Sequence, residues 1–152
     1  MSALARFEIT GDATPGRTRT AGLLDGLAAT LIAMIVTPQP VLRQVFVQAA
    51  GPVAGIVLFV SVLLLLSLAV LGVYLAFAAV TWGRSPAMYL LDLGLEAQTK
   101  PTMGEAVRWS LGWMLAFVPA LLGVASTCHP TTGLPARLSG LPTRSTAPAA
   151  GE

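Results

Sequence analysis

The sequence predicts an all-α integral membrane protein of about three transmembrane helices, with a short extended surface segment and an irregular C-terminal tail. Three observations carry that expectation. Forty residues between Arg43 and Arg84 hold no charged side chain. Hydrophobic residues make up 55% of the 152-residue chain and charged residues 11%, against about 25% charged in a typical soluble domain. Apolar stretches recur at about 21–37, 53–81 and 106–125, and roughly 20 apolar helical residues cross a hydrocarbon core about 30 Å thick. A chain so used has no room for a large soluble catalytic domain.

Residues 1–20 form a polar N-terminal segment with Arg6, Glu8, Asp12, Arg17 and Arg19 and no apolar run, so they are expected to be retained rather than cleaved as a secretory signal. The first span is short, apolar except for Asp25, and bounded by Arg17 and Arg19 before it and Pro38 and Pro40 after it. Residues 39–50 mix Val41, Leu42, Val45, Phe46 and Val47 with Gln39, Arg43, Gln44 and Gln48, which suits a brief helix at the interface. Gly51-Pro52 marks the turn into the second span. That span is longer than one crossing needs, so it must tilt, project beyond the lipid, or break at Gly72.

After Trp82, Tyr89, Leu91, Leu93 and Leu95 alternate with Leu90, Asp92, Gly94 and Glu96, a period of two that predicts a half-buried extended segment over 86–96. Thr102-Met103-Gly104-Glu105 has the form of a capping box, which satisfies free amides at a helix start. The third apolar element contains Pro119 and either crosses or bends back as a re-entrant hairpin. The tail, 126–152, is rich in Thr, Pro, Gly, Ser and Ala, a composition that does not order in isolation.

Orientation follows from basic residues, which favour the cytoplasmic side. Three crossings with the N-terminus inside place Arg6, Arg17, Arg19, Arg84, Lys100 and Arg108 inside, and Arg43, Arg137 and Arg144 outside; a hairpin leaves only Arg43 outside. Both counts put the N-terminus in the cytoplasm and predict a multi-pass protein of the bacterial inner (cytoplasmic) membrane. Nine scattered basic residues and a formal charge of +2 predict no nucleic-acid partner.

Asp25 is the only acid expected at membrane depth, where an ionisable group needs a partner. It reads either as a cation or proton site or as a structural ion pair or hydrogen-bond anchor with Arg17, Arg19 or Arg108 near one membrane face. Gly22 and Gly26 form Gly-x-x-x-Gly, and Gly112, Ala116 and Ala120 make a second ridge of small residues. Such ridges let helices approach closely, within one chain or between subunits. Trp82, Trp109 and Trp113 are expected as anchors at headgroup depth. The Ser61 and Ser67 hydroxyls can bond back to their own helix and imply no pore. Cys128 and His129 are adjacent, but a structural metal site needs about four ligands and neighbouring side chains rarely meet as nucleophile and base. No catalytic, cofactor or metal residue is assigned, and the chain is expected not to be an enzyme.

Three segments together resemble the RDD family of small bacterial membrane proteins. They are Arg17-Thr18-Arg19-Thr20-Ala21-Gly22-Leu23-Leu24-Asp25-Gly26-Leu27, then Gly83-Arg84-Ser85-Pro86-Ala87-Met88-Tyr89-Leu90-Leu91-Asp92-Leu93 with Arg108 opening the next helix, then Gly133-Leu134-Pro135-Ala136-Arg137-Leu138-Ser139-Gly140-Leu141. Arg17 or Arg19 is the counterpart of the family's first arginine. The chain departs from the pattern at Ala136, where the second namesake aspartate would fall, at Leu141 for a threonine, and at Ala87-Met88 for Gly-Lys. The resemblance implies an association with transport. The residues themselves, poor in polar groups for a path, imply a non-enzymatic subunit that packs in the lipid bilayer against other membrane protein subunits and stabilises or helps assemble a larger complex.

Overall fold

The first helix starts earlier than its apolar stretch, because Thr14 and Pro15 supply a start signal of their own. In the computed structural model, which describes residues 7–38, 40, 43, 44, 47, 51–96 and 101–148, the Thr14 hydroxyl accepts from the Arg17 amide and Pro15 takes the first helical position. Proline fits there, since its missing N–H would have had no partner within the helix. The order is β1 (Phe7–Asp12), α1 (Pro15–Val36), α2 (Pro52–Trp82), α3 (Pro86–Leu90), β2 (Leu93–Leu95), α4 (Met103–Leu121), a 3-10 turn (Ala125–Cys128), α5 (Leu134–Ser139) and β3 (Thr143–Pro148). The interfacial helix expected over 39–50 lies largely outside the described residues, as do Arg6 and Lys100; Pro40, Arg43, Gln44 and Val47 are helical.

Two helices, α1 and α2, are long and apolar enough to cross a membrane. Gly51 precedes Pro52 at the start of α2, which runs unbroken for 31 residues through Gly72, so of the three alternatives the break is the one not taken. Gly72 instead lets the Met114 side chain of α4 lie against the backbone, with Sδ 2.7 Å from where a Cβ would stand. Ser61 and Ser67 donate to the carbonyls four residues back, at 2.8 and 2.7 Å.

α4 starts where the capping box places it: the Thr102 hydroxyl accepts from the Glu105 amide at 3.3 Å, and the Glu105 carboxylate accepts from the Thr102 amide at 2.8 Å. Thr102→Ala is expected to lower stability by about 1 kcal/mol, read as a lower midpoint in a thermal scan of the detergent-solubilised protein; an unchanged midpoint would show that the box is dispensable. α4 is helical through Pro119 and ends at Leu121. With Glu105, Arg108 and Ser110 along it, it is less apolar than the expected third span. Its contacts fall on one end of the helix pair, with Trp113 over Gly22, Phe117 over Gly26 and Met114 over Gly72.

The all-α expectation is corrected by a three-stranded antiparallel sheet in the order β1-β3-β2. The tail is correspondingly not irregular. After the 3-10 turn and α5 it supplies the middle strand, with Asp12 opposite Arg144 on one side and Gly94 opposite Arg144 on the other. The Arg144 guanidinium bonds the Asp12 carboxylate and donates to Glu96 at 2.6 Å, so one cation ties the two outer strands to the central one. The expected extended segment over 86–96 is also corrected: only Leu93–Leu95 is strand, and Pro86–Leu90 is a short helix.

The core is one cluster at the sheet end of the helix pair, built from Leu71, Leu75, Met88, Leu93, Trp109 and Trp113 among others. Away from it, one side of α2 is bare over its first half, where Val53, Ile56, Val57, Val60 and Leu65 are exposed.

Candidate functional site

α2 ends at Gly83, whose φ of 69° is a left-handed conformation that glycine adopts without a Cβ penalty. Two residues later Ser85 caps α3, with Pro86 in the first helical position. This tight reversal swings the start of α3 against the middle of α1, onto Asp25. The carboxylate, 3% exposed, accepts from the Ser85 hydroxyl, from the Tyr74 hydroxyl at 3.2 Å and from the Ala87 amide at 3.4 Å. Ser85 also accepts from the Met88 amide at 3.1 Å. Asp25 therefore joins α1, α2 and α3 through one buried acceptor.

None of the arginines expected beside Asp25 reaches it. Arg17 donates to the Leu91 carbonyl and lies 3.8 Å from Asp92. Arg19 donates through Nε to the Ala120 carbonyl at 3.1 Å. Arg108 donates to Gly104 within its own helix at 3.2 Å. Of the two structural alternatives the hydrogen-bond anchor is the one found, and its partners are corrected, with hydroxyl and amide donors in place of the arginines. Buried charge requires either a counter-charge or several donors, and the second solution is used here.

The small residues act inside the chain. A Cβ at Gly22 would lie 2.0 Å from Trp113, one at Gly26 1.9 Å from Phe117, and one at Gly112 2.5 Å from the Pro135 backbone of α5. Ala116 and Ala120 are buried in the same core. Trp109 and Trp113, expected as anchors at headgroup depth, are packed inside this core rather than facing outward, at 0% and 4% exposed. They meet edge to face, 6.4 Å between ring centroids, and their indole N–H groups have no partner among the described residues. Trp82, at the end of α2, is 52% exposed.

Cys128 is fully buried, and burial pushes its thiol up from the usual range. His129 turns instead to the following loop, with Nδ1 3.2 Å from the Thr131 hydroxyl. Among the described residues no three His, Cys, Asp or Glu side chains gather as a metal site. Tyr74 and Ser85 are the partners that sequence reasoning missed; Ser85-Pro86 was itself a helix-start signal of the cap-then-proline type. The first two segments of the RDD resemblance meet at this carboxylate, and the third packs on α4 through Pro135. No protein-family model, curated protein or solved structure shows significant similarity to the chain.

Proposed function

We propose that this chain is a non-enzymatic integral subunit of a bacterial inner membrane that packs against, and stabilises or helps assemble, a larger membrane protein complex. The observation that carries the reading is α2. Its 31 residues reach about 46 Å at ~1.5 Å each, some 16 Å more than a hydrocarbon core of about 30 Å covers. The bare part is its first half. Leaving one large aliphatic side chain in water rather than burying it costs about 1.5–3 kcal/mol, so a face of Val53, Ile56, Val57, Val60 and Leu65 needs lipid or an apolar protein surface against it. Small-residue ridges and an ordered tail do not add to this argument, because both are engaged within the chain.

Sheet and helices also bear on topology. β1 precedes α1, β2 follows α2, and β3 follows α4, yet all three lie in one sheet. If α1 and α2 each cross, β1, β2 and β3 occupy one side, which favours the hairpin count of basic residues and an α4 that stays on the sheet side.

A photo-crosslinking residue at Val57, with Leu71 as the buried control, tests the subunit reading in native membranes. A stoichiometric partner captured from position 57 and not from 71 is the expected result. A monodisperse monomer that captures no protein would remove it.

A second reading has one observation in its favour: Asp25 is a buried acid whose hydrogen-bond partners among the described residues are uncharged donors. It is an RDD-type small transporter or cation/proton antiporter acting as an oligomer. On that reading Asp25→Asn abolishes cation-dependent flux in reconstituted vesicles; flux that is unchanged, or absent from the parent, rejects it.

A further inference from the structure

We infer that the outer face of α4 lies against lipid acyl chains, so that α4 is embedded in the sheet-side leaflet without crossing the bilayer; this rests on the membrane placement of α1 and α2 proposed above. From Trp109 to Ala136 the chain holds no Lys, Arg, Asp or Glu. Within that stretch Leu111, Leu115, Val118 and Leu122 follow one another at steps of four, three and four, which keeps them on a single stripe of the helix. All four are exposed. The other side of α4 is spent on the core through Trp113, Ala116, Phe117 and Ala120.

The stripe continues the outer surfaces of the two long helices. Met114 of α4 lies over Gly72 of α2, and the next residue of each helix, Leu115 at 62% and Val73 at 74%, is exposed. Phe117 lies over Gly26 of α1, and there too the next residues, Val118 and Leu27, are exposed. Aliphatic side chains thus flank both seams, and what covers α1 and α2 beside them also covers α4. β2 precedes α4 and β3 follows it in the same sheet, so the chain returns to the side it left.

Lipid suits this face better than another helix does. Helices in a bilayer grip one another through small or polar residues, and on α4 the small ones, Gly112, Ala116 and Ala120, are engaged within the chain. The helix end is also closed, as a bilayer requires of backbone groups. The carbonyls of Val118, Pro119 and Ala120 accept from the Leu122, Val124 and Gly123 amides at 3.1, 2.9 and 3.1 Å, and Arg19 adds a second donor to Ala120.

A nitroxide on Leu115→Cys in the full chain, reconstituted in phosphatidylethanolamine and phosphatidylglycerol vesicles, tests the face by its collisions with oxygen and with a water-soluble nickel chelate. The parent, whose single cysteine is buried, sets the background. Val73→Cys serves as the lipid reference and Thr10→Cys, on β1, as the water reference. The oxygen-to-nickel ratio at position 115 is expected to match that at 73 within about two-fold, since both sites lie in one hydrocarbon layer. A ratio like that at position 10, with 73 still in lipid, overturns the inference while the membrane placement stands; a water-like ratio at both overturns the two together. Access by neither reagent at 115 means that a second copy covers the face and also overturns it. In native membranes a photo-crosslinker at Leu115 is expected to capture no protein, and a captured subunit would give the face to that partner instead of lipid.

Discussion

Asp25→Ala is expected to destabilise the protein by about 3 kcal/mol or more, because it leaves buried donors with nothing to bond, each costing about 1–3 kcal/mol. The substitution strands the Tyr74 and Ser85 hydroxyls and the Ala87 amide at once. It also severs the bond that holds the α2–α3 reversal to α1. Cys128 gives a direct readout: it is the single cysteine, it is fully buried, and its raised thiol pKa slows reaction further. When labelling requires opening, a loss of about 3 kcal/mol raises the open population, and the maleimide labelling rate, about 100-fold. Asp25→Asn keeps an acceptor and should fall between. An Asp25→Ala protein whose Cys128 labels at the parental rate would show that the anchor carries no stability.

The second large effect is expected at Gly26. A Cβ there would stand 1.9 Å from Cε2 of Phe117, so Gly26→Ala must push the ring away and part α1 from α4. Overpacking of this kind costs typically about 1–3 kcal/mol, and the upper end is expected because Trp113 fills the adjacent groove over Gly22. Shrinking the intruding ring should relieve it. Gly26→Ala with Phe117→Leu is expected to be less destabilised than the sum of the single changes, measured as coupling in a double-mutant cycle. A glycine used between subunits would behave differently: Gly26→Ala would shift the oligomeric state and leave the monomer's stability alone.

The helices were legible because their signals are local. The long apolar run after Gly51-Pro52 gives α2, and Thr102 with Glu105 gives the start of α4, with no distant residue needed. The sheet had no such signal. β1 and β3 are short, polar segments whose pairing joins residues more than a hundred positions apart, as Asp12 with Arg144, and no periodicity within either strand announces the other. The alternation over 89–96 misled for a related reason: its first two residues, Tyr89 and Leu90, belong to a helix that begins at Ser85-Pro86, and cap chemistry outweighed a short period-two pattern.

The candidate site was half legible. Asp25 stands out by being an acid in an apolar stretch, but its donors, Tyr74 and Ser85, are common residues that only the fold brings near. The arginines looked like natural partners and are occupied by carbonyls instead. Trp113 packs over Gly22 and Trp109 lies in the core beside it, since close packing there offers each indole more contact than an outward position does.

Placing the last strand in the middle of the sheet sets the order in which the molecule can be completed. During synthesis α1 and α2 emerge and can pair long before Thr143–Pro148 leaves the ribosome. Until then Phe7–Asp12 and Leu93–Leu95 have no common neighbour, and both wait as open edges beside the newborn helix pair. Thr143–Pro148 thus acts as a closing clasp, and a chain cut short before it would keep its apolar helices but never gain its polar lid.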